Sequence, residues 1–396
     1  MQNDHELLLL RGAAEFFAAL ISAVDSAVHE VRLETYIFHL EHGTEAVGNA
    51  LVNAAQRGVH VSVVVDGVGT HALPAPWRAR FDAAGVKWHI YAPLGRLGLL
   101  MPSRWRRLHR KLCVVDGRLV FCGGINLQDD WFDLNHGPLT APRFDFAVRV
   151  SGSLVREAHA AMTQFWWRLQ AVENARQVHW LQAWQSLQKA TRVVPGADPH
   201  SGPTGGARAA LVLRDNLLNR SRIERAYRLA LGTARQEIIV ANAYFLPGRK
   251  IRRALIHAAQ RGVRVRLLLQ GRYEYFMQYY ATRPVYGALL KAGVEIHEYA
   301  PSFLHAKVAV VDGHWATVGS SNLDPLSLLL AREANLVIDD QGFAQALRQR
   351  LVDAMTTQGA LIDPAAFANR SLGQRLLEHL ALGLMRLGLF LTGKRY

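Results

Sequence analysis

The stretch HRKLCVVDGRLVFCGGIN, from His109 to Asn126, returns later in the chain as HAKVAVVDGHWATVGSSN, from His305 to Asn322. Both stretches follow one pattern: His-x-Lys, four residues, Asp, six residues, then Gly, Gly or Ser, any residue, and Asn. Composition alone does not produce such a pattern twice at fixed separations. The repeated motif points to phosphoryl chemistry carried out by two histidines.

Each residue type in the motif suits that chemistry. A histidine with an unperturbed pKa of about 6.5 can act near neutral pH as a nucleophile in one place and as a proton donor in another. Lys111 and Lys307 follow their histidines by two positions, so on a strand they point to the same face and can clamp phosphate oxygens. We predict His109, Lys111, His305 and Lys307 to be catalytic.

The end of each motif predicts a phosphate-binding surface. Asn126, Asn322 and Ser320 can donate hydrogen bonds to phosphate oxygens, and the neighbouring glycines allow close backbone approach. Acidic residues downstream, Asp145 and Glu333, are the candidates for orienting the histidines through the second ring nitrogen.

The aspartates inside the motif have two interpretations. Asp116 and Asp312 belong to the candidate catalytic set because the motif contains them. Each also precedes a glycine in the predicted turn of a hairpin, where a turn-capping role is at least as good an explanation. Neither motif has the ligand spacing of a zinc site, and a lysine beside each histidine would repel a divalent cation. We expect no metal and no cofactor.

The second half of the chain restates the first. ALVNAAQRGVHVSVVVDG begins at Ala50 and ALIHAAQRGVRVRLLLQG begins at Ala254, 204 residues later, whereas the two motifs lie 196 residues apart. A near-constant offset of this length indicates duplication of a whole domain. Strands alternate with helices in each half, and Gly58 and Gly262 suit left-handed helix ends. We predict two homologous α/β sandwich domains with mixed sheets flanked by helices.

The predicted boundaries follow composition. Residues 1–192 form the first domain, 193–207 a linker rich in Pro and Gly, 208–365 the second domain, and 366–396 an amphipathic tail. In the tail, Leu376, Leu380, Leu384, Leu387 and Leu391 recur at helical spacing, which favours an interfacial helix over one docked on the protein body. For Trp166, Trp167, Trp180 and Trp184 we favour packing against the domain over membrane contact.

Charge limits the partners. The 396 residues include 46 Lys and Arg against 32 Asp and Glu, a net charge of +14, which implies nucleic acid or an acidic membrane surface. The two cysteines, Cys113 and Cys122, are expected to be buried. No signal peptide and no membrane-spanning run is apparent.

The motif pair resembles the phospholipase D superfamily, whose members build one active site from two such motifs at the interface of two like domains related by a pseudo-twofold axis. A narrower resemblance is to bacterial cardiolipin synthases of the B type. It rests on LETYIF at 33–38, RRLHRK at 106–111, ANAYFLPG at 241–248 and HWATVGSSNLDPLSL at 314–328. The resemblance implies the phospholipase D fold and covers nearly the whole chain.

The same resemblance implies a reaction. His109 would attack the phosphodiester of one phosphatidylglycerol to give a phosphatidyl-histidine intermediate, while His305 protonates the departing glycerol. The hydroxyl of a second phosphatidylglycerol would then attack the intermediate and release cardiolipin. The order of the two histidines is taken from the family and does not follow from the local sequence.

A basic, leucine-rich segment before the first motif favours lipid over nucleic acid. Apolar and cationic residues interleave there, as suits an anionic bilayer, whereas nucleic-acid grooves mix cations with stacking aromatics. The predicted membrane-facing residues are Arg96, Leu99, Leu100, Arg104, Trp105, Arg106 and Arg107. An ordinary packed loop is the alternative.

We therefore expect a peripheral protein on the cytoplasmic face of the bacterial inner membrane, with anionic phospholipids (phosphatidylglycerol, cardiolipin) as partners and no nucleic acid. The oligomeric state stays open. The alternative functions are a phospholipase D that transfers to water, a nuclease-type phosphodiesterase of the same superfamily, and a catalytically silent membrane scaffold. The intact motifs argue against the scaffold.

Overall fold

A computed structural model describes residues 1–95, 102–192, 206–215, 219, 221–273, 276–324 and 331–391. The elements of the first half are β1 (Gln2–Arg11), α1 (Gly12–Asp25), β2 (Glu30–Thr35), α2 (Glu45–Gln56), β3 (His60–Asp66), α3 (Ala75–Ala84), β4 (Lys87–Tyr91), a 3₁₀ turn (Pro102–Trp105), β5 (Arg107–Leu108), β6 (Lys111–Val115), β7 (Leu119–Gly123), β8 (Phe132–Asp133), β9 (Gly137–Pro138), β10 (Phe146–Ser151), α4 (Leu154–Arg176) and α5 (Trp180–Arg192).

The second half has the same order of main elements: a first strand, three helix–strand pairs, the motif hairpin, and a strand and a helix after it. Its elements are β11 (Ala207–Arg214), α6 (Arg222–Thr233), β12 (Glu237–Asn242), α7 (Arg249–Gln260), β13 (Arg264–Gln270), α8 (Phe276–Leu290), β14 (Glu295–Tyr299), β15 (Lys307–Val311), β16 (Trp315–Gly319), β17 (Ala331–Asp339), α9 (Gln341–Gln358), β18 (Gly359–Leu361), α10 (Pro364–Ala368) and α11 (Leu372–Leu391).

The chain divides into two compact units. One contains Met1–Asp129 and Ala147–Leu211, and the other contains Asp130–Phe146 and Val212–Tyr396. The segment 130–146, which the sequence alone assigns to the first half, therefore groups with the second unit. This exchange matters because it brings Asp145 into the same unit as the second motif.

The sheet of the first unit is mixed. Strands β2, β3 and β4 run parallel, and β6, β7 and β10 add to β2 in antiparallel order, giving β10-β7-β6-β2-β3-β4. Helices α1 and α2 fill the core on one face of the sheet, where Val31, Leu51 and Val63 are almost fully buried. Helix α4 covers the other face through Phe165 and Trp166.

The sheet of the second unit has the same topology, β17-β16-β15-β12-β13-β14, extended by β18 beside β14. Helices α6, α7 and α8 pack over Ile238, Leu267 and Val311 on one face. The apolar side of α9, with Leu347 and Leu351 fully buried, packs on the other. The predicted α/β class with mixed sheets flanked by helices is confirmed.

Local predictions from the sequence are also confirmed. Gly58 and Gly262 end their helices with φ of +92° and +87°. Each motif forms a hairpin, β6–β7 or β15–β16, and its Asp-Gly pair makes the turn with positive φ at both positions. Both cysteines are buried on the first hairpin, and burial raises the pKa of the Cys113 thiol to about 12.

The tryptophan prediction was wrong for helix α5. Trp166 is buried, but Trp180 and Trp184 are 66% and 61% exposed. The reason is the composition of the inner face of α5: the small residues Ala183, Ser186 and Ala190 are buried there. Helix α4 packs against α5, so the large side chains are left on the outside.

Helix α11 has two faces. Ala381 and Leu382 are buried, and the buried carboxylate of Glu378 pairs with Arg370 at 3.0 Å. The helix packs against α8. The opposite face leaves a row of leucines between 48% and 80% exposed: Leu372, Leu376, Leu380, Leu384 and Leu387. The side chain of Leu391, which was predicted to continue this row, and the cations Lys394 and Arg395 lie outside the described residues.

Candidate active site

In both units the motif histidine lies at the edge of the sheet where the parallel strands end. Strand β6 runs antiparallel to β2, and its first residues therefore lie beside the last residues of β2. In the second unit the register places Lys307, at the start of β15, opposite Asn242, at the end of β12. This edge is where open α/β sheets bind their ligands.

The first motif is fixed by short-range contacts. The ring of His109 packs edge-on against Tyr36, with 5.0 Å between centroids. The buried Lys111 donates from Nζ to the His109 carbonyl at 2.8 Å and lies 5.5 Å from the centre of the same tyrosine ring. The Oδ1 atom of the buried Asn126 accepts a hydrogen bond from the Ile37 amide at 3.3 Å. Tyr36 thus links the histidine and the lysine.

Two ion pairs that the sequence analysis did not identify support this motif. Asp66, at the end of β3, accepts from the Leu108 amide at 2.7 Å and pairs with Arg107 at 3.1 Å. Burial raises the pKa of the Asp66 carboxyl, although Arg107 and the backbone donors oppose the shift. The buried Arg110 forms a two-pronged pair with Glu34. A charged residue at the end of a buried strand is the signal that could have indicated Asp66.

The second motif contains a histidine–carboxylate pair. His305 Nδ1 lies 2.6 Å from Asp145 Oδ2, between residues 160 positions apart in the chain. Asp145 is 2% exposed, and its other oxygen accepts from the Phe146 amide at 2.7 Å. An ionised carboxylate only accepts hydrogen bonds, so Nδ1 carries the proton and Nε2 is the atom available for chemistry.

The backbone keeps that pair in register. The His305 amide donates to the Phe144 carbonyl at 2.9 Å, and the Phe144 amide donates to the Phe303 carbonyl at 3.0 Å. Lys307 is fully buried and donates from Nζ to the His305 carbonyl, as Lys111 does for His109. The lysine–carbonyl contact is therefore common to both motifs.

Ser320 has a different environment from the one predicted. It is fully buried, its hydroxyl donates to the buried carboxylate of Glu333, and it accepts from the Ala334 amide at 3.1 Å. This arrangement makes Ser320 a support for Glu333, and its predicted role as a phosphate ligand stays a prediction. The preceding Gly319 must be glycine, because a Cβ there would lie 2.4 Å from the Asn335 side chain.

The motif aspartates lie at the far end of their hairpins from the histidines. The Asp116 carboxylate accepts from the amides of residues 28, 29 and 30 at 2.7–2.9 Å, and that of Asp312 accepts from residues 235, 236 and 237 at 2.8–2.9 Å. Partial burial raises the pKa of each carboxyl, but the backbone donors outweigh it, so each pKa lies below its ordinary value. These contacts favour the turn-capping interpretation over direct catalysis.

The segment before the first motif is partly described. Arg96, Leu99 and Leu100 lie outside the described residues. Arg104 donates to the Leu94 carbonyl at 2.9 Å, Trp105 is half-buried and Arg106 is exposed. Arg107 was predicted to face a membrane, but its guanidinium is held by Asp66, because a buried carboxylate requires a compensating cation.

Comparison with known proteins identifies the family of this chain. The family described as "Cardiolipin synthase, PLD-like domain" matches residues 20–139 and 227–355. Cardiolipin synthase B from Salmonella typhimurium is 37% identical over 370 residues, which cover 93% of this chain and 85% of that protein. Cardiolipin synthase B from Escherichia coli K12 is 36% identical with the same coverage.

Among solved structures, phosphatidylserine synthase from Haemophilus influenzae Rd KW20 is similar with a TM-score of 0.68 at 12% identity, covering 96% of this chain and 93% of that one. At that identity the likeness concerns the fold alone. The family match and the relatives above 30% identity show the family as well as the fold. The chain therefore belongs to the cardiolipin synthase family of phospholipase D-like proteins, and within it to the cardiolipin synthase B type.

Proposed function

We propose that this protein synthesises cardiolipin by transferring the phosphatidyl group of one phosphatidylglycerol to the hydroxyl of another, with release of glycerol. The observation that carries the proposal is the His305–Asp145 pair at 2.6 Å within the second of two complete motifs. A histidine oriented by a buried carboxylate is equipped to move a proton at Nε2. The names of the relatives supply the substrate class.

In the first step, Nε2 of His109 attacks phosphorus, and the bond from phosphorus to the glycerol oxygen breaks. His305 gives its Nε2 proton to the departing glycerol, and Asp145 stabilises the histidine while it is charged. The product is a phosphatidyl group bonded to His109. Both histidines act on one phosphodiester in this scheme, which is why the chain needs both motifs.

In the second step, the hydroxyl of a second phosphatidylglycerol gives its proton to Nε2 of His305. Its oxygen forms a bond to phosphorus, and the bond between phosphorus and His109 breaks. One phosphodiester replaces another, so no nucleotide is consumed. We keep Glu333 as a candidate for orienting a motif histidine and assign Lys111, Lys307, Asn126 and Asn322 to the phosphate oxygens.

Membrane contact belongs to the same proposal. In the described part of the chain no helix is long and apolar enough to cross a bilayer. Two helices nevertheless expose large apolar side chains: α5 through Trp180, Leu181 and Trp184, and α11 through its row of leucines. Tryptophan favours the interface between water and lipid, and residues 174–192 contain cations but no acidic residue. We propose peripheral binding at the cytoplasmic face of the inner membrane.

The test is incubation of the purified protein with labelled phosphatidylglycerol, followed by mass spectrometry of the lipids. Cardiolipin and free glycerol are the expected products, and His109→Ala and His305→Ala should each abolish them. Substantial cardiolipin synthesis by either variant would overturn the two-histidine scheme. Phosphatidic acid as the dominant product would indicate a lipase, and cleavage of nucleic acid without action on lipid would indicate a nuclease.

A further inference from the structure

A pocket opens beside the second motif, at the ends of strands β12 and β13. It is open to solvent and has a cavity volume of about 30 Å³, and Ala243, Tyr244, Gln270, Arg272 and Tyr279 are among its lining residues. No Asp or Glu is among the described residues that line it. The pocket lies entirely within the second unit.

Two residues that line this pocket form hydrogen bonds with Leu304 and Ala306, the residues on either side of His305 in the chain. The Leu304 amide donates to Oε1 of Gln270 at 3.3 Å. The Ala243 amide donates to the carbonyl of Ala306 at 3.0 Å. The pocket is therefore fixed relative to the histidine, and what occupies it is held close to the second motif.

The internal duplication explains why the pocket exists. The stretches LETYIF and VANAYF align Tyr36 of the first half with Ala243 of the second. In the first half the Tyr36 ring packs against His109. In the second half a methyl group replaces that ring, and Ala243 instead lines the open space.

A second difference between the halves decides the chemistry of the pocket. VVVDG aligns with LLLQG, so Asp66 corresponds to Gln270. Each side chain accepts a hydrogen bond from the backbone amide of the residue before the motif histidine: Asp66 from Leu108, and Gln270 from Leu304. Asp66 is satisfied by Arg107, whereas Nε2 of Gln270 is buried and has no hydrogen-bond partner among the described residues. A buried donor without a partner is costly unless a ligand accepts from it.

The cations at the pocket are already engaged. Arg283 pairs with Glu298 at 2.9 Å and donates to the Tyr279 hydroxyl at 2.8 Å. The guanidinium of Arg272 lies 5.4 Å from the centre of the Phe303 ring. A ligand with a positive charge would meet these guanidiniums and an amide donor, and no carboxylate among the described lining residues would pair with it. An uncharged ligand with hydroxyl oxygens suits the pocket.

We propose that this pocket is part of the alcohol subsite, where a hydroxyl oxygen of a glycerol headgroup accepts a hydrogen bond from Gln270 Nε2 beside Ala243, so that the enzyme selects glycerol-bearing over amine-bearing alcohols. The inference rests on the proposed function, because the alcohol is the group that His305 protonates or deprotonates there.

The test is an exchange assay with the full chain and detergent-solubilised phosphatidylglycerol. Labelled glycerol and labelled ethanolamine serve as alternative acceptors, and kcat/KM is measured for each. Wild-type protein should prefer glycerol. Gln270→Glu keeps the acceptor for the Leu304 amide and replaces the free donor with a carboxylate. It should lower the glycerol-to-ethanolamine ratio by about tenfold, the effect of one hydrogen bond.

Two further variants complete the experiment. Gln341→Glu adds the same charge at the exposed start of α9 and should leave the ratio unchanged. Ala243→Leu fills the pocket and should raise the KM for glycerol, which decides the matter if Gln270→Glu does not fold. An equal loss for both acceptors in Gln270→Glu, or an unchanged KM in Ala243→Leu, would overturn the subsite. A wild-type protein that makes neither exchange product nor cardiolipin would instead overturn the proposed function.

Discussion

At the scale of single residues, the most informative contact joins Asp145 to His305. The carboxylate is buried and accepts a hydrogen bond from His305 Nδ1 at 2.6 Å, so one side chain sets both the ring orientation and the tautomer. A second pair, His314 with Asp339 at 2.8 Å, has the same chemistry, but His314 is 61% exposed and lies at the hairpin turn. The two pairs differ in burial: the Asp145 carboxylate is buried, whereas His314 is on the surface.

Asp145→Asn should reduce kcat for cardiolipin formation by about a hundredfold or more, because the amide can present its N–H to the ring and select the wrong tautomer. The rate at saturating phosphatidylglycerol measures the effect, and circular dichroism checks the fold. Asp339→Asn is the matched control and should leave kcat within about twofold, as expected of an exposed pair. Comparable losses in both variants would contradict the orienting role.

Asp312 should matter for stability. Asp312→Ala removes the acceptor for three backbone amides, and we expect a loss of about 1–2 kcal/mol in unfolding free energy, similar to the loss of a helix cap. The folded-state pKa of this carboxyl lies below 3.8, so its contribution is complete above that value and disappears as the pH falls through the lowered pKa. Urea unfolding at pH 7 and at pH 3 measures this.

The difference in stability between wild type and Asp312→Ala should therefore be smaller at pH 3 than at pH 7. Turnover per folded molecule should be close to that of wild type. A large fall in kcat with unchanged stability would restore the catalytic interpretation of this aspartate.

At the scale of elements, helices α5 and α11 have the same distribution of side chains. Each buries one face against a neighbouring helix and exposes large apolar side chains on the other. Exposed apolar patches of this kind mark interaction surfaces.

The triple variant Leu376→Gln, Leu380→Gln and Leu384→Gln should weaken binding to phosphatidylglycerol vesicles by at least about tenfold, because each leucine transferred to lipid contributes on the order of 1 kcal/mol or more. Activity on detergent-solubilised lipid should change little. Vesicle sedimentation and the micelle assay measure the two effects, and Leu229→Gln, at a 69% exposed position on α6, is the control. Equal losses in both assays would argue against membrane contact.

At the scale of the whole molecule, we expect the net charge of +14 to strengthen binding to anionic membranes. Binding to vesicles should strengthen with the fraction of anionic lipid and weaken with salt, since the screening length falls from about 10 Å at 0.1 M to about 3 Å at 1 M ionic strength. A salt titration with vesicles of fixed phosphatidylglycerol content measures the slope. Binding that ignores both salt and lipid charge would mean that apolar contact, and not charge, holds the protein on the membrane.

The amino-acid sequence by itself determined the duplicated α/β architecture, the two hairpins with their Asp-Gly turns, the left-handed helix ends at Gly58 and Gly262, and the identity of the histidine and lysine pairs. These features follow from local rules: side-chain periodicity selects strand or helix, and glycine permits positive φ. Such rules depend on a few neighbouring residues, so their outcome can be predicted from the amino-acid sequence.

Only the tertiary structure decided which distant groups meet. It paired Asp145 with His305 across 160 residues, turned Arg107 inward to Asp66, and left Trp180 and Trp184 outside because α4 meets the small face of α5. It also left the Gln270 amide nitrogen without a partner among the described residues, in a pocket lined by Ala243, whose counterpart Tyr36 packs against His109 in the first half. The physical reason is that a side chain's partner depends on the packing of whole elements, which local periodicity does not encode.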